Sequence, residues 1–303
     1  MVKKVAVIQD LSGLGKCSLT AAIPVISVMG VQACPVPTAV LTNQTGYESY
    51  YYDDFTDKID FFTEEWQKRG LTLDGIYTGF LGSEAQVEKI LYFNEVFRKE
   101  NTLLFVDPVM GDMGKVFDMY TPALREQMRR LALHADVITP NLTECCLLAD
   151  ADYDAIFSHT GEPDYLRRIE MMAKPLLKSR ISTVIITGII HKAAEDSAPK
   201  YYNLIVSSDG CQSVSSEIHG GSYSGTGDLL ASVVCADMVR GNSAYCGVSR
   251  AVRFLEEALI ETAAEGVPRN DGINFEPFLP LLLDQYNLKR WQSPINYRLC
   301  HLI

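Results

Sequence analysis

Residues 225–228 read Gly-Thr-Gly-Asp and stand directly before the apolar run LLASVVCADMV. Glycines let neighbouring backbone amides point at one place, and a helix that starts there adds the positive end of its dipole. The turn formed by Gly225, Thr226 and Gly227 is therefore predicted to be an anion hole for a phosphate group. Asp228, in the first helical turn, is predicted to be the base that accepts a proton when a hydroxyl attacks that phosphate.

Further polar residues follow other strand-like segments of the chain. Asp107 and Asp112 come after the apolar run TLLFV, and Asn141 and Glu144 come after ADVITP. Carboxylates beside a polyphosphate repel it unless a hard cation lies between them. A polyphosphate bound beside these carboxylates would therefore require a hard cation between them.

The segment IQDLSGLGKCSLT, residues 8–20, contains glycine and lysine residues that suggest a nucleotide-binding P-loop. A P-loop follows the pattern G-x-x-x-x-G-K-[S/T]. When Gly15 and Lys16 are aligned with it, Asp10 occupies the first glycine position and Cys17 replaces the hydroxyl residue. A carboxylate at the mouth of the loop also repels phosphate. The segment is instead predicted to be a strand-to-helix turn, or a loop that contacts a substrate other than the nucleotide phosphates.

The composition argues against several classes of protein. The 303 residues are 47% hydrophobic, which is enough to form a large core. Acidic residues outnumber basic ones by 38 to 27, so a nucleic-acid or anionic-membrane face is not expected. No apolar run reaches the roughly 18–20 residues of a membrane span, and the start of the chain does not resemble a signal peptide. The eight cysteines lack CxxC spacing, and the chain is predicted to be cytoplasmic with reduced thiols.

Apolar strand-like runs alternate with segments of helical periodicity along most of the chain. This alternation predicts an α/β fold with a mostly parallel sheet, helices on both faces, and one domain over residues 1–303. The predicted strands are 5–8, 31–40, 74–82, 102–111, the start of 135–149, 183–188 and a hairpin at 200–218. The predicted helices are 17–30, 57–70, 83–100, 121–133, the end of 135–149, a segment ending near 178, 225–241, 244–264 and 276–286. In such sheets ligands bind beyond the carboxyl ends of the strands.

Several motifs together resemble one enzyme family. GTGD before an apolar helix is similar to the ribokinase-like small-molecule kinases. Five further motifs resemble the pyridoxal kinase branch of that superfamily and occur in the same order as in the family. They are IQD (8–10), TNQTGY (42–47), TGFLGS (78–83), VDPVMGD (106–112) and TPNLTE (139–144). The resemblance implies a single-domain, three-layer αβα sandwich. It also implies phosphorylation, dependent on ATP and Mg²⁺, of the 5′-hydroxymethyl group of pyridoxamine, pyridoxine or pyridoxal in vitamin B6 salvage. A monovalent cation is a further candidate cofactor.

The resemblance also implies roles for individual positions. Asp228 becomes the base, and the anion hole is formed by Gly225, Thr226 and Gly227. The implied ATP-binding residues are Asp107, Asp112, Thr139, Asn141, Thr187 and Gly188. The residues implied to hold Mg²⁺, partly through water, are Glu144, Asp107 and Asp112. The implied substrate-binding residues are Asp10, Gln44, Thr45 and Phe80.

Three substrate positions depart from the family pattern. Asp10 stands where many relatives have serine, Gln44 where many have histidine, and Phe80 where many have a tyrosine stacked on the substrate ring. Phe80 keeps a stacking face and lacks the hydroxyl. Asp10 adds a negative charge that can pair with a protonated ring nitrogen or with an amine. We therefore expect pyridoxamine or pyridoxine to be favoured over pyridoxal.

Two other functions remain open on the sequence: another ribokinase-like small-molecule kinase, especially one for hydroxymethylpyrimidine, and a non-catalytic B6-binding protein. A hydroxymethylpyrimidine kinase usually has GTGC where this chain has GTGD, and a non-catalytic B6-binding protein would not need Asp228, Asp107 and Glu144 together. The polar segment 112–120 is a candidate flap with Gly114 as its hinge. The resemblance to the family also implies a homodimer.

Overall fold

The computed structural model of the chain describes residues 2–177, 180–193 and 198–283. The last predicted helix, 276–286, therefore extends beyond the described part. Cys300 and the C-terminal segment WQSPINYRLCHLI also lie outside it.

A nine-stranded sheet organises the described residues, with strand order β11-β10-β9-β8-β5-β4-β1-β2-β3. Its strands are β1 Lys4–Ser12, β2 Gln32–Leu41, β3 Tyr52–Asp54, β4 Gly75–Thr78, β5 Leu103–Val106, β8 Val137–Ile138, β9 Thr183–His191, β10 Lys200–Ser207 and β11 Gly210–Glu217. The six strands from β9 to β2 pair in parallel, whereas β3, β10 and β11 add antiparallel edges. A separate hairpin consists of β6 Gly111–Asp112 and β7 Lys115–Val116. The predicted mostly parallel sheet is confirmed.

Nine α-helices connect the strands of the described part. They are α1 Ser18–Val28, α2 Ile59–Lys68, α3 Glu84–Phe97, α4 Pro122–Leu133, α5 Leu142–Ala149, α6 Tyr153–Phe157, α7 Tyr165–Ala173, α8 Thr226–Val239 and α9 Ala244–Ala264. Several begin at the caps that the sequence indicates: the Ser83 side chain accepts the Gln86 amide, and the Thr121 side chain accepts the Leu124 amide. The segment from residue 276 is a 3-10 helix, Glu276–Leu282, and not an α-helix, because in an α-helix the Pro280 ring would clash with the Glu276 carbonyl.

Alternation along β1 separates the core into two layers. Val5 and Val7 pack on the face covered by α1, α8 and α9. Ala6 and Ile8 pack on the opposite face, against α2, α3, α4, α5 and α7. Because successive side chains of a strand point to opposite faces, one strand supplies both cores. This arrangement confirms the predicted three-layer αβα sandwich.

The first strand is longer than its apolar sequence suggests. It was predicted over residues 5–8 but continues to Ser12, and its pairing with β2 shifts register between Gln9 and Leu11. Asp10 lies at this bulge. A bulge re-aims the side chain next to it and is frequent beside active sites. The tertiary pairing thus carries strand structure into the polar segment that the sequence predicted as a turn.

The described part contains no helix long and apolar enough to cross a membrane. Its seven cysteines are all free thiols, and four of them are buried: Cys34, Cys145, Cys146 and Cys235. The expectation of unpaired thiols is confirmed for these seven residues.

Candidate active site

The GTGD turn starts α8 at the edge of the sheet where the parallel strands end. Gly225 is the cap residue, with a φ of +82° that a side chain would strain. A Cβ added there would lie 2.1 Å from the Lys16 carbonyl oxygen, whereas one added to Gly227 would meet nothing within 4 Å. The turn is therefore closed on the side of the Lys16 loop and open at Gly227. An anion can approach the first amides of α8 from that open side.

Asp228 lies between the starts of two helices. It occupies the first turn of α8, and its carboxylate accepts a hydrogen bond from the backbone amide of Ser18, the first residue of α1. Burial raises the pKa of Asp228 to about 7, and the nearby charge of Asp10 adds to the rise. A carboxylate with a pKa near neutrality is suited to take up a proton from a hydroxyl group.

Strained backbone holds the start of α1 in this position. Lys16 and Ser18 both have positive φ angles, +27° and +48°. Such angles are uncommon for residues other than glycine and are found where function requires a particular geometry. In the sequence, Ser18 is one residue of the 8–20 segment that suggests a P-loop. The structure makes it the residue that contacts Asp228 through its amide and Asp10 through its hydroxyl.

Asp107 and Glu144 form a buried acidic region beside Asp228. Asp107 follows β5, and burial raises its pKa well above the usual value, with the charges of Glu144 and Asp228 adding to the effect. Burial also raises the pKa of Glu144 to about 8. These directions indicate excess negative charge, which a hard cation would relieve.

Glu144 and Asn141 also have a structural role. They form a capping box at the start of α5. The two carboxylate oxygens of Glu144 accept the amides of Met110 at 3.0 Å and Asn141 at 2.9 Å. The Asn141 side chain donates to the Gly111 carbonyl at 2.8 Å. The two residues thus fasten the loop after Asp107 to α5.

The acidic residues do not form a closed metal cage. In the described ranges, no three histidine, cysteine, aspartate or glutamate side chains lie close enough together to hold a metal ion. Asp112 is exposed on the β6–β7 hairpin, and its charge adds to the raised pKa of Glu144. An open set of a few carboxylates suits Mg²⁺, which usually retains waters and binds substrate phosphates.

The remaining predicted ATP positions lie along the strand ends. Thr139 follows β8 and is buried. Thr187 is half-buried in β9, and its amide donates to the Pro140 carbonyl at 3.0 Å. The Gly188 amide donates to the Asn203 side chain at 3.2 Å, so that amide is used within the protein. Of Thr187 and Gly188, only Thr187 has a side-chain hydroxyl group that could contact a phosphate.

The predicted substrate residue Gln44 is engaged by the protein itself. Its amide nitrogen donates to the Asn270 carbonyl at 3.2 Å and to the Ser224 hydroxyl at 3.4 Å, and its amide oxygen accepts the Gly46 amide at 2.7 Å. The structure therefore gives Gln44 a positioning role in this loop. Thr45, next to it, is exposed.

A turn at residues 269–272 was missed in the sequence. The Tyr47 hydroxyl donates to Asp271 at 2.6 Å, and the Asn270 side chain donates to the Gly46 carbonyl at 2.6 Å. The Ser224 amide donates to the Arg269 carbonyl at 3.1 Å. This turn joins the TNQTGY loop to the GTGD turn. The letters RNDG signal a turn but not its partners.

Phe80, a predicted substrate residue, meets the end of the candidate flap. Phe80 is half-buried and contacts the buried Tyr120 edge to face, with ring centroids 6.4 Å apart. Gly114 lies at the turn of the β6–β7 hairpin, and its amide donates to the Thr143 hydroxyl at 2.8 Å. Gly114 is packed at the hairpin tip, where a Cβ would lie 2.8 Å from the Tyr153 ring, and its role as a hinge stays a prediction. Opening of the segment stays a prediction.

Lys16 points away from the GTGD turn. Its ammonium group contacts Asn274 and Glu276, both at 2.9 Å, and lies 5.8 Å from the centre of the Phe275 ring. These contacts fasten the loop of residues 13–17 to the C-terminal part of the fold. They agree with the rejection of the P-loop interpretation.

Lys16→Met is expected to leave the KM for ATP within about 2-fold of wild type. The ion pair with Glu276 is partly exposed, so its loss should cost less than about 1 kcal/mol of stability. Glu276→Gln breaks the same pair from the other side and is the matched control. Steady-state kinetics would contradict this assignment if Lys16→Met raised the KM for ATP tenfold and Glu276→Gln did not.

Comparison with known proteins agrees with this geometry. The family model described as phosphomethylpyrimidine kinase matches residues 15–272. A crystal structure described as a putative phosphomethylpyrimidine kinase from Bacteroides thetaiotaomicron, in a form with pyridoxal, is 34% identical, has a TM-score of 0.82, and is matched over 93% of this chain and 96% of that one. A pyridoxal kinase structure from Lactobacillus plantarum is 27% identical, with a TM-score of 0.81 over 96% of this chain and 99% of that one.

A curated relative points the same way. Pyridoxal kinase PdxY from Aliivibrio fischeri is 23% identical over 279 residues, covering 88% of this chain and 91% of its own length. The resemblance drawn from the motifs is thereby confirmed. The chain belongs to the phosphomethylpyrimidine kinase family, in its pyridoxal kinase branch, and is a kinase that acts on an alcohol group.

Proposed function

We propose that the protein transfers the γ-phosphate of ATP to the 5′-hydroxymethyl group of a vitamin B6 vitamer. The observation that carries this proposal is the placement of Asp228. It stands in the first turn of α8, beside an open glycine turn, in contact with the start of α1, and with a pKa raised to about 7 by burial. A base, an anion hole and an acidic cation region adjoin one another, as transfer to an alcohol requires.

In the proposed reaction Asp228 accepts the proton of the 5′-hydroxyl group while the oxygen of that hydroxyl group attacks the γ-phosphorus of ATP. The amides of Gly225, Thr226 and Gly227 stabilise the charge on the phosphoryl oxygens. The Thr226 hydroxyl donates to the Tyr223 carbonyl at 2.6 Å, which holds the turn in shape and leaves its backbone to face the anion. ADP leaves, and the proton remains on Asp228 until solvent removes it.

Asp107 and Asp112 would hold Mg²⁺, with Glu144 acting through water. The cation would neutralise charge on the phosphate chain. The protein's own contribution is to keep these carboxylates at the ends of neighbouring elements, and the capping box of Glu144 and Asn141 fixes the loop that carries them. Thr139 and Thr187 are proposed as further phosphate contacts.

The expectations of a single domain, a homodimer and a cytoplasmic location belong to the same proposal. Light scattering on the purified protein would measure its mass in solution. A mass of twice 33.7 kDa supports the homodimer, and a monomeric mass contradicts it.

A hydroxymethylpyrimidine kinase is the second candidate, because the matching family model and the Bacteroides structure carry the name phosphomethylpyrimidine kinase. A coupled ADP-release assay with pyridoxal, pyridoxamine, pyridoxine and hydroxymethylpyrimidine separates the two. We expect at least one B6 vitamer to have a kcat/KM more than tenfold above that of the pyrimidine. A higher kcat/KM for the pyrimidine than for all three vitamers would contradict the proposal.

A further inference from the structure

Asp10 is a buried carboxylate on the substrate side that the proposed phosphoryl transfer does not use. It is 6% exposed and lies at the bulge of β1. Its contacts are hydroxyl groups: Ser12 donates to it at 2.9 Å, and the Ser18 side chain is its other partner. Among residues 2–177, 180–193 and 198–283, no lysine, arginine or histidine forms an ion pair with Asp10.

The charge around Asp10 is negative. Asp228 lies close to Asp10, because Ser18 binds both residues. The Ser18 amide donates to Asp228, and the Ser18 hydroxyl donates to Asp10. Lys16, six positions along the chain from Asp10, is turned towards Asn274 and Glu276. A buried carboxylate without a positive partner is costly, so a ligand that carries a cation gains binding energy here.

Two tyrosines lie within electrostatic reach of Asp10. Asp10 contributes, after burial and other acidic groups, to raising the pKa of Tyr52 and of the buried Tyr120. Tyr120 in turn contacts the ring of Phe80. A carboxylate with aromatic side chains in its neighbourhood suits a flat aromatic ligand that bears a positively charged substituent.

We propose that Asp10 binds the protonated 4′-aminomethyl group of pyridoxamine and makes the aminated vitamer the preferred substrate. This inference rests on the proposed function. The 4′ substituent is attached to the ring carbon next to the one that bears the reacting 5′-hydroxymethyl group. Asp10 and Asp228, joined through Ser18, are thus suited to contact neighbouring substituents. The aldehyde of pyridoxal only accepts hydrogen bonds, and the ionised carboxylate that an ammonium group favours has none to donate.

Asp10→Asn tests the charge with little change of shape. The ADP-release assay gives kcat/KM for pyridoxamine, pyridoxine and pyridoxal in both proteins. We expect wild type to prefer pyridoxamine, and the variant to lower the pyridoxamine-to-pyridoxal ratio by about 10- to 100-fold, as for a lost charge-assisted hydrogen bond. The ratio does not depend on the fraction of folded enzyme, so a stability loss cannot mimic the result.

Ser12→Ala is the matched control, because it removes a partner of Asp10 and keeps the charge. It should retain the pyridoxamine preference. An unchanged ratio in Asp10→Asn, or an equal fall for all three vitamers, overturns the inference, since an equal fall would place Asp10 at a group that they share. Both outcomes leave the proposed function standing, whereas no turnover of any vitamer by wild type contradicts the proposed function itself.

Discussion

Asp228→Ala should lower kcat by about 10²- to 10⁴-fold and leave vitamer and ATP binding within about 3-fold of wild type. The side chain is proposed to act on the proton of the attacking hydroxyl, and that contact strengthens in the transition state. The substitution also removes the free-energy cost of burying this carboxylate, whose pKa is raised to about 7, so no loss of folding is expected. Steady-state kinetics and calorimetric titration of the vitamer separate the two effects.

Glu84→Ala is the matched control for this variant. Glu84 is also an acidic residue in the first turn of a helix, and it accepts the Thr121 hydroxyl at the surface. Its removal costs a similar helix-dipole interaction far from the proposed reaction. Turnover near the wild-type rate in Asp228→Ala would show that another group, or none, serves as the base.

Gly225→Ala should reduce both stability and activity. At a φ of +82° an alanine costs about 1–2 kcal/mol, and its Cβ would lie 2.1 Å from the Lys16 carbonyl oxygen. That oxygen is backbone and cannot rotate away, so either the GTGD turn or the loop of residues 13–17 must move. Because small displacements of positioned groups can cost about 100-fold in rate, we expect at least that loss in kcat/KM together with a lower Tm.

Gly241→Ala is the control that introduces backbone strain at a positive φ without a steric clash of the added Cβ. Gly241 follows the other end of the same helix with a φ of +95°, and a Cβ there would meet nothing within 4 Å. It should lose about 1 kcal/mol of stability and retain its kcat/KM. Equal kinetic effects in the two variants would contradict a specific role of the packed Gly225 turn.

The sequence predicted the architecture and the main acidic groups because their signals are local. Strand and helix periodicity, the caps at Ser83 and Thr121, and the glycines before Asp228 are each encoded within a few residues. The parallel-sheet rule then predicted that residues following separate strands would meet at one edge. Asp107, Glu144 and Asp228 do lie within electrostatic reach of one another.

Other features required the tertiary structure, because they join residues distant in the chain. The glycines next to Lys16 suggested that its side chain binds a phosphate. The structure shows that it contacts Asn274 and Glu276, which are more than 250 residues away in the chain. Gln44 is predicted to contact the substrate, which stays a prediction, and only the structure showed that its amide also donates to the turn containing Asn270.

The sequence by itself thus determined the fold and the position of the GTGD turn, because short-range backbone preferences and spacing specify them, and its motifs indicated the kinase family by their resemblance to known members. Only the tertiary structure decided which groups hold that turn and the carboxylates in place. The Ser18 amide reaches Asp228 because α1 and α8 pack on the same face of the sheet, and the bulge of β1 brings Asp10 beside them. Such contacts depend on how separate elements pack, and no local pattern of residues encodes that packing.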